Sequence, residues 1–273
     1  MQKFFILYFI FFGFLTSRPS YAGLYDGQHS EVFLELSEHF DPEILSDLFK
    51  DPRFEIYKRT APAQKQYNKI TVEFYKRPAF GLFTEAGYRA GRKFVEEYKD
   101  DLLMAIRRFS LPEEAIWDIA GLAGVEYSWG KMKPPHKIFN ALISLYRDVP
   151  GRRKFALDNI EGLLRGMEDP FIRIDPYAPS SFLGGAGYCQ MMPFWFTTVS
   201  DWRRKERLDI DDDGIFDPYH MPDAIGFFAW RLSAMHYRRD RFNAIKRYNG
   251  SGSAAKAFAE AIMEYSKIIQ SGP

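Results

Sequence analysis

Apolar residues along most of this chain recur at the three- and four-residue spacing of a helix face, and no regularly spaced strand series appears. Asp41-Pro42 reads as an N-cap followed by proline at the first helical position, with Ile44, Leu45, Leu48 and Phe49 on one face behind it. A long helix is expected from Thr84, where Tyr88, Val95, Leu102 and Phe109 recur every seven residues with Gly91, Tyr98 and Ala105 between them. Ser110-Leu111-Pro112-Glu113 reads as a break and a capping box that opens the next helix. That helix is apolar nearly all round (Ala115, Ile116, Ile119, Ala120, Leu122, Ala123, Val125), the mark of a helix buried at a domain's centre. It runs into Glu126 and stops by Gly130. An amphipathic helix is expected over 153–167, with Leu157, Ile160, Leu164 and Met167 on one face. A glycine-rich turn at Gly184–Gly187, an aromatic segment at 194–202 and an Asp-rich loop at 209–217 follow, then helices near 223–236 and 253–269. Residues 52–80, with Pro62 and Pro78, are mixed. The class is mainly α, a helical bundle around a central buried helix, with at most a small β element near 52–75 or 170–190.

The N-terminus departs from this pattern. Lys3 precedes an apolar run from Phe4 to Leu15, and Ser20-Tyr21-Ala22 supplies a small-x-small cleavage site, so residues 1–22 read as a secretory signal peptide. The run is short for a membrane span; an uncleaved anchor is the alternative. No second long apolar stretch follows, so no integral membrane segment is expected after cleavage. The single cysteine, Cys189, is far from this site, which argues against lipidation and excludes an intramolecular disulfide. The expected location is periplasmic or secreted.

The rest, with 46% apolar and 17% aromatic residues overall, is globular. Removing residues 1–22 takes away Lys3 and Arg18 and leaves 35 basic against 36 acidic residues, so charge gives no case for nucleic acid. The break at Ser110 divides the rest into a helical region, 23–109, and a core, 110–273.

Glu126 is the foremost chemical candidate. Desolvation and the negative end of its helix both disfavour its charged form and raise its pKa, as a general acid near neutral pH requires. By position alone it is also a surface glutamate at a fraying helix end. Gly184-Gly185-Ala186-Gly187-Tyr188-Cys189-Gln190-Met191-Met192-Pro193 combines glycines that permit close backbone approach with an amide, Gln190; by itself it is a turn entering a helix at Pro193. Arg247-Tyr248-Asn249-Gly250 offers a hydroxyl and a ring face, or simply a helix stop.

Together, in order, these blocks resemble a family. Gly124-Val125-Glu126-Tyr127-Ser128-Trp129-Gly130 is similar to the glycine-x-glutamate-x-x-x-glycine block of the lytic transglycosylases, in particular the membrane-bound lytic transglycosylase B family. Gly184–Pro193 resembles that family's glycine-alanine-x-glycine-x-x-glutamine-x-methionine-proline block, and Asp223-Ala224-Ile225 a third; the likeness spans about residues 35 to 250. It implies a lysozyme-like α+β core that cuts the glycan strands of peptidoglycan between N-acetylmuramic acid and N-acetylglucosamine. Glu126 would be the acid and then the base, Gln190 would orient the muramyl sugar, and Gly187, Tyr188 and Tyr248 would belong to the substrate site. No cofactor is required for catalysis. Met191 stands where the family usually has phenylalanine, which would reshape a sugar subsite.

Asp209-Ile210-Asp211-Asp212-Asp213-Gly214-Ile215 has the one-three-five oxygen spacing and the glycine of an EF-hand loop, with His220 where the bidentate glutamate belongs. A longer loop closed by Asp223, which the resemblance supports, would hold a structural calcium through Asp209, Asp211, Asp213, the Ile215 carbonyl and Asp223. A solvated acidic turn is the alternative. Trp129, Phe194, Trp195 and Phe196 are candidates to stack on sugars, or core. Cys189 is either a thiol near the cleft or a small buried residue. Two other functions remain open: a hydrolytic muramidase, for which Asp148, Asp158 and Asp175 are unplaced candidate second acids, and a non-catalytic wall-binding protein.

Overall fold

The computed structural model describes residues 24–25, 27, 29–58, 70–200 and 207–272. The signal-peptide segment lies outside them. One compact unit ends at Pro52, and the other runs from Arg53 onward.

The first unit holds α1 (Ser30–Leu36) and α2 (Pro42–Lys50). Asp41 caps α2 through its carboxylate, which accepts from the Glu43 N–H at 2.8 Å, and Pro42 takes the first turn, as the sequence predicts. Tyr25, Phe33 and Phe49 form an aromatic cluster beneath the pair.

In the second unit, α3 (Val72–Lys76) leads into α4 (Glu85–Glu97), α5 (Lys99–Arg108) and α6 (Ala115–Tyr127). The long helix expected from Thr84 is therefore two helices. Tyr98 interrupts them with φ −107° and ψ 28°, because the halves serve different partners: α4 packs on α6 and the C-terminal helix α12 (Gly252–Ser271), α5 mainly on α10 (Met221–Ala234). The capping box is also overturned. Ser110 has φ 52° and closes α5, the Leu111 N–H donating to the Ile106 carbonyl and the Ser110 N–H to the Arg107 carbonyl, as in a Schellman motif. The next helix starts only at Ala115, with no side-chain cap.

That helix, α6, is the central one. Its residues from Ala115 to Gly124 are buried apart from the half-buried Trp117, and α4, α5, α10 and α12 surround it. A buried ion pair fixes its first turn: Asp118 accepts two hydrogen bonds from the Arg241 guanidinium, both 2.7 Å, and one from the Tyr237 hydroxyl.

The remaining elements form the other wall. They are β1 (His136–Lys137), α7 (Ile138–Asp148), α8 (Arg153–Glu168), β2 (Pro179–Ser180) and α9 (Phe196–Val199), followed after α10 by α11 (Arg241–Asn249). β1 pairs antiparallel with β2, His136 opposite Ser180. The small β element thus involves the 170–190 region but not 52–75 among the described residues. Helices α7 and α11 have no counterpart in the sequence reading. On α8 Ile160 and Leu164 are buried, but Met167 is exposed, since Gly166 rather than Met167 faces Phe196 of α9. No helix among the described residues is long and apolar enough to cross a membrane.

Candidate active site

Glu126 stands in the last turn of α6, and the chain beyond it turns back hard. Ser128, Trp129 and Gly130 all have positive φ (49°, 54°, 83°). The Trp129 indole N–H donates to the Ala120 carbonyl at 2.9 Å, which lays the ring along the helix it has just left. Gly124 makes room: a Cβ there would sit 2.6 Å from the Trp129 ring. The glycine and glutamate of this block are therefore linked mechanically, because the close return that Gly124 permits fixes the turn beside Glu126.

The second wall is a tight hairpin. Ala186 and Met191 exchange two backbone hydrogen bonds, both 2.8 Å, so residues 187–190 form its tip. Gly187, at φ 71°, lies against Pro218, whose carbonyl oxygen would be 2.1 Å from a Cβ; only glycine fits. Gln190 has φ 48°, and its amide nitrogen donates to the Gly187 carbonyl at 3.0 Å. The third wall is α11. The Tyr248 hydroxyl donates to the Cys189 carbonyl at 2.9 Å, and its ring lies parallel to Phe258, 6.4 Å between centroids. Asn249 ends the helix and Gly250 follows with φ 117°, the stop the sequence indicated.

Between these walls is a cavity of about 410 Å³ whose lining includes Glu126, Gln190, Tyr248, Trp195 and Arg231. Glu126 is its only carboxylate among the described residues. Desolvation alone pushes its pKa up to about 8; no neighbouring charge contributes. The carboxyl is therefore largely protonated at neutral pH. Burial and the nearby Glu126 push the Tyr248 hydroxyl well above its usual range, so it stays a hydrogen-bond donor. Burial also raises the Cys189 thiol, which is buried and unreactive at neutral pH.

Gly187 and Tyr188 stand just outside the cavity lining. Tyr188 meets Tyr127 edge-on at 5.0 Å, beside Glu126. Asp148, Asp158 and Asp175 are ion-paired with Arg147, Lys154 and Arg53, and none lines the cavity. Of the candidate aromatics, Trp195 lines the cavity; Phe196 is fully buried, Trp129 packs near Tyr265, and Phe194 lies against Trp195.

The family model described as the transglycosylase SLT domain matches residues 34–242 of this chain. The chain belongs to the transglycosylase SLT-domain family. It is 30% identical over 149 residues to membrane-bound lytic murein transglycosylase B of Escherichia coli K12, a match covering 54% of this chain and 38% of that protein. The match thus spans well under half of that relative. The fold is shared with the E. coli lytic transglycosylase Slt35 in complex with calcium (TM-score 0.68, 19% identity, covering 88% of this chain and 92% of that one). It is shared as well with soluble lytic transglycosylase SltB1 of Pseudomonas aeruginosa (0.68, 19%, 90% and 99%) and with SltB3 of the same organism bound to NAG-NAM-pentapeptide (0.69, 16%, 89% and 79%).

Within this SLT-domain fold the Asp-rich loop is a separate feature. Carboxylate oxygens of Asp209, Asp211 and Asp213 converge within 4.8 Å of one another, and a ring nitrogen of His220 lies equally close to carboxylate oxygens of Asp211 and Asp223. The Asp209 carboxylate accepts from the Asp213 and Gly214 N–H groups at 3.1 and 2.8 Å. Asp212 turns away to pair with Arg108 at 2.7 Å. Asp223 is buried in the first turn of α10, and its Oδ1 has no hydrogen-bond partner. Burial and the neighbouring carboxylates Asp211 and Asp209 push its pKa up to about 8. An orphaned buried carboxylate oxygen beside converging hard oxygen donors is a donor set that fits calcium.

The sequence reading missed Arg231. Its signal was present: a lone arginine inside the apolar run from Ala224 to Leu232.

Proposed function

We propose that this chain is a peptidoglycan lytic transglycosylase that breaks the β-1,4 bond from N-acetylmuramic acid to N-acetylglucosamine. The carrying observation is a desolvated Glu126, with pKa about 8, as the only acid in the cavity lining among the described residues. A lone carboxyl suits a reaction in which one group acts twice. Glu126 gives its proton to the bridging oxygen as the C1–O bond breaks, while the muramyl N-acetyl oxygen bonds to C1. Glu126, now a carboxylate, takes the proton of the same sugar's 6-hydroxyl as that oxygen displaces the N-acetyl oxygen. The product is a 1,6-anhydromuramyl end, and no water is consumed.

Gln190 orients the muramyl sugar. Tyr248 holds the hairpin in place through Cys189 and closes the cavity wall. Gly187 lets the hairpin approach Pro218, and Tyr188 buttresses Tyr127 beside Glu126. All of these lie in 110–273, the proposed catalytic core, with 23–109 as its helical partner. Asp209, Asp211, Asp213, the Ile215 carbonyl and Asp223 hold a structural calcium with no part in the bond-breaking step. The chain is exported through residues 1–22 and works in the periplasm or outside the cell. Calcium in Slt35 and the NAG-NAM-pentapeptide in SltB3 support the metal and substrate readings by analogy of fold.

The test is a digest of purified sacculi, with Glu126→Gln in parallel, read by mass spectrometry of released fragments. Anhydro ends from the parent and none from the variant are expected. Reducing ends would make the chain a hydrolytic muramidase, and binding without release a non-catalytic wall protein.

A further inference from the structure

The cavity that holds Glu126 also holds a cation that no acid among the described residues answers. Arg231, on α10, is only 7% exposed, yet it lines the cavity. Its guanidinium lies 4.3 Å from the centroid of the Trp195 ring and 5.9 Å from that of Tyr248. Among the described residues no carboxylate pairs with it and no group accepts a hydrogen bond from it. Burial pulls its pKa down, and only the Tyr248 hydroxyl acts the other way. Glu126, for its part, gains nothing from any cation. The cavity's half-buried acid and buried base therefore do not neutralise each other.

A guanidinium carries five N–H donors in a rigid fork that matches a carboxylate. Burying one without an acceptor is costly, and stacking on an indole offsets only part of that cost. Trp195 is itself held between Phe194 at 4.6 Å and Trp230 at 5.4 Å, so the platform under the guanidinium is fixed. With Glu126 protonated, the described residues of the lining keep the positive charge of Arg231 and hold no negative charge.

On a glycan strand of alternating N-acetylglucosamine and N-acetylmuramic acid, negative charge is found at one kind of place. The muramyl lactyl group ends in a carboxylate when free, and in a peptide with its own carboxylates when substituted. Resting on the reading of this cavity as a glycan site, we propose that Arg231 receives a carboxylate carried by the muramyl unit, so that the subsite beside Trp195 selects muramyl over N-acetylglucosaminyl residues. Arg231 is thus a specificity residue, separate from the proton transfers of Glu126.

Binding tests this apart from turnover, using the chain carrying Glu126→Gln and isothermal titration calorimetry. The probes are chitotetraose, a (GlcNAc–MurNAc)₂ tetrasaccharide with free lactyl carboxylates, the same tetrasaccharide as its methyl amide, and a peptide-bearing tetrasaccharide. The free-carboxylate or the peptide-bearing probe is expected to bind roughly ten- to a hundredfold tighter than the methyl amide. Adding Arg231→Gln should abolish that margin and leave chitotetraose unchanged, and Arg231→Lys should restore part of it. A margin confined to the free acid identifies the lactyl carboxylate as the source, and one confined to the peptide-bearing probe identifies the stem. A margin that survives Arg231→Gln overturns the proposal. Equal loss of all probes, chitotetraose included, overturns it in favour of a packing role. Failure of the Glu126→Gln chain to bind any probe overturns the glycan reading of the cavity, and this proposal with it.

Discussion

The role proposed for Glu126 combines two demands that conflict in water: the carboxyl must hold a proton at neutral pH and still release it to an oxygen. Desolvation meets both by raising the pKa to about 8. Activity should therefore fall as pH rises through about 8 in a profile of kcat/KM, with loss of one proton. The same shift has a sign for stability. The folded pKa lies above the ordinary 4.5, so the folded state binds this proton more tightly than the unfolded one. Its contribution is present below about 4.5 and is lost as pH rises through about 8. Glu126→Gln should thus raise Tm over the parent more at pH 9 than at pH 5. Gly124 makes a second residue-scale prediction. Alanine would gain up to ~1 kcal/mol of helix propensity, but its Cβ meets an indole pinned by its own hydrogen bond to Ala120. Overpacking costs about 1–3 kcal/mol and should outweigh that gain, for a net loss of up to about 2 kcal/mol measured by urea unfolding, with lower activity because the turn after Glu126 shifts.

At the scale of elements, α6 is held at both ends. Gly124 and Trp129 fix its C-terminus, and Asp118 fixes its first turn to Arg241 of α11 and to Tyr237. The Asp118 carboxylate is fully buried and Arg241 a third exposed. Asp118→Ala should therefore cost about 3 kcal/mol, the lower part of the range for breaking a buried pair, in chemical denaturation. Because α11 also carries Tyr248, the variant should loosen the cavity wall and lower kcat even where the protein is folded. The helix break at Tyr98 and the left-handed Ser110 belong to this scale too. Seven-residue periodicity describes which residues face a partner, but not that α4 and α5 face different ones.

At the scale of the whole molecule, the Asp-rich loop joins α5 to α10 through Arg108, which donates to the Asp209 carbonyl and pairs with Asp212. Carboxylates gathered there repel one another unless a cation neutralises them. Calcium should therefore raise Tm. At a hundredfold excess over Kd the gain is about 2.7 kcal/mol, absent in Asp209→Asn or Asp223→Asn and reversed by a chelator in differential scanning calorimetry. Catalytic turnover measured well below Tm should change little, because the loop residues do not line the cavity.

The central helix, the glycine-rich turn and the acidic loop were legible in the chain because local forces set them: apolar periodicity, glycines that permit close backbone approach, and oxygen spacing along a loop; Glu126 and Gln190 stood out through the family resemblance of their blocks. Tertiary structure decided what depends on partners distant in sequence. Helices α7 and α11 were missed, and so were the Asp118–Arg241 pair, 123 residues apart, and the contact of Tyr248 with Cys189, 59 residues apart. Arg231 is the clearest case. The sequence shows a charge in an apolar run, but only the fold places it against Trp195 in the same cavity as Glu126, because desolvation and the lack of an acid partner depend on the surroundings and not on the residue.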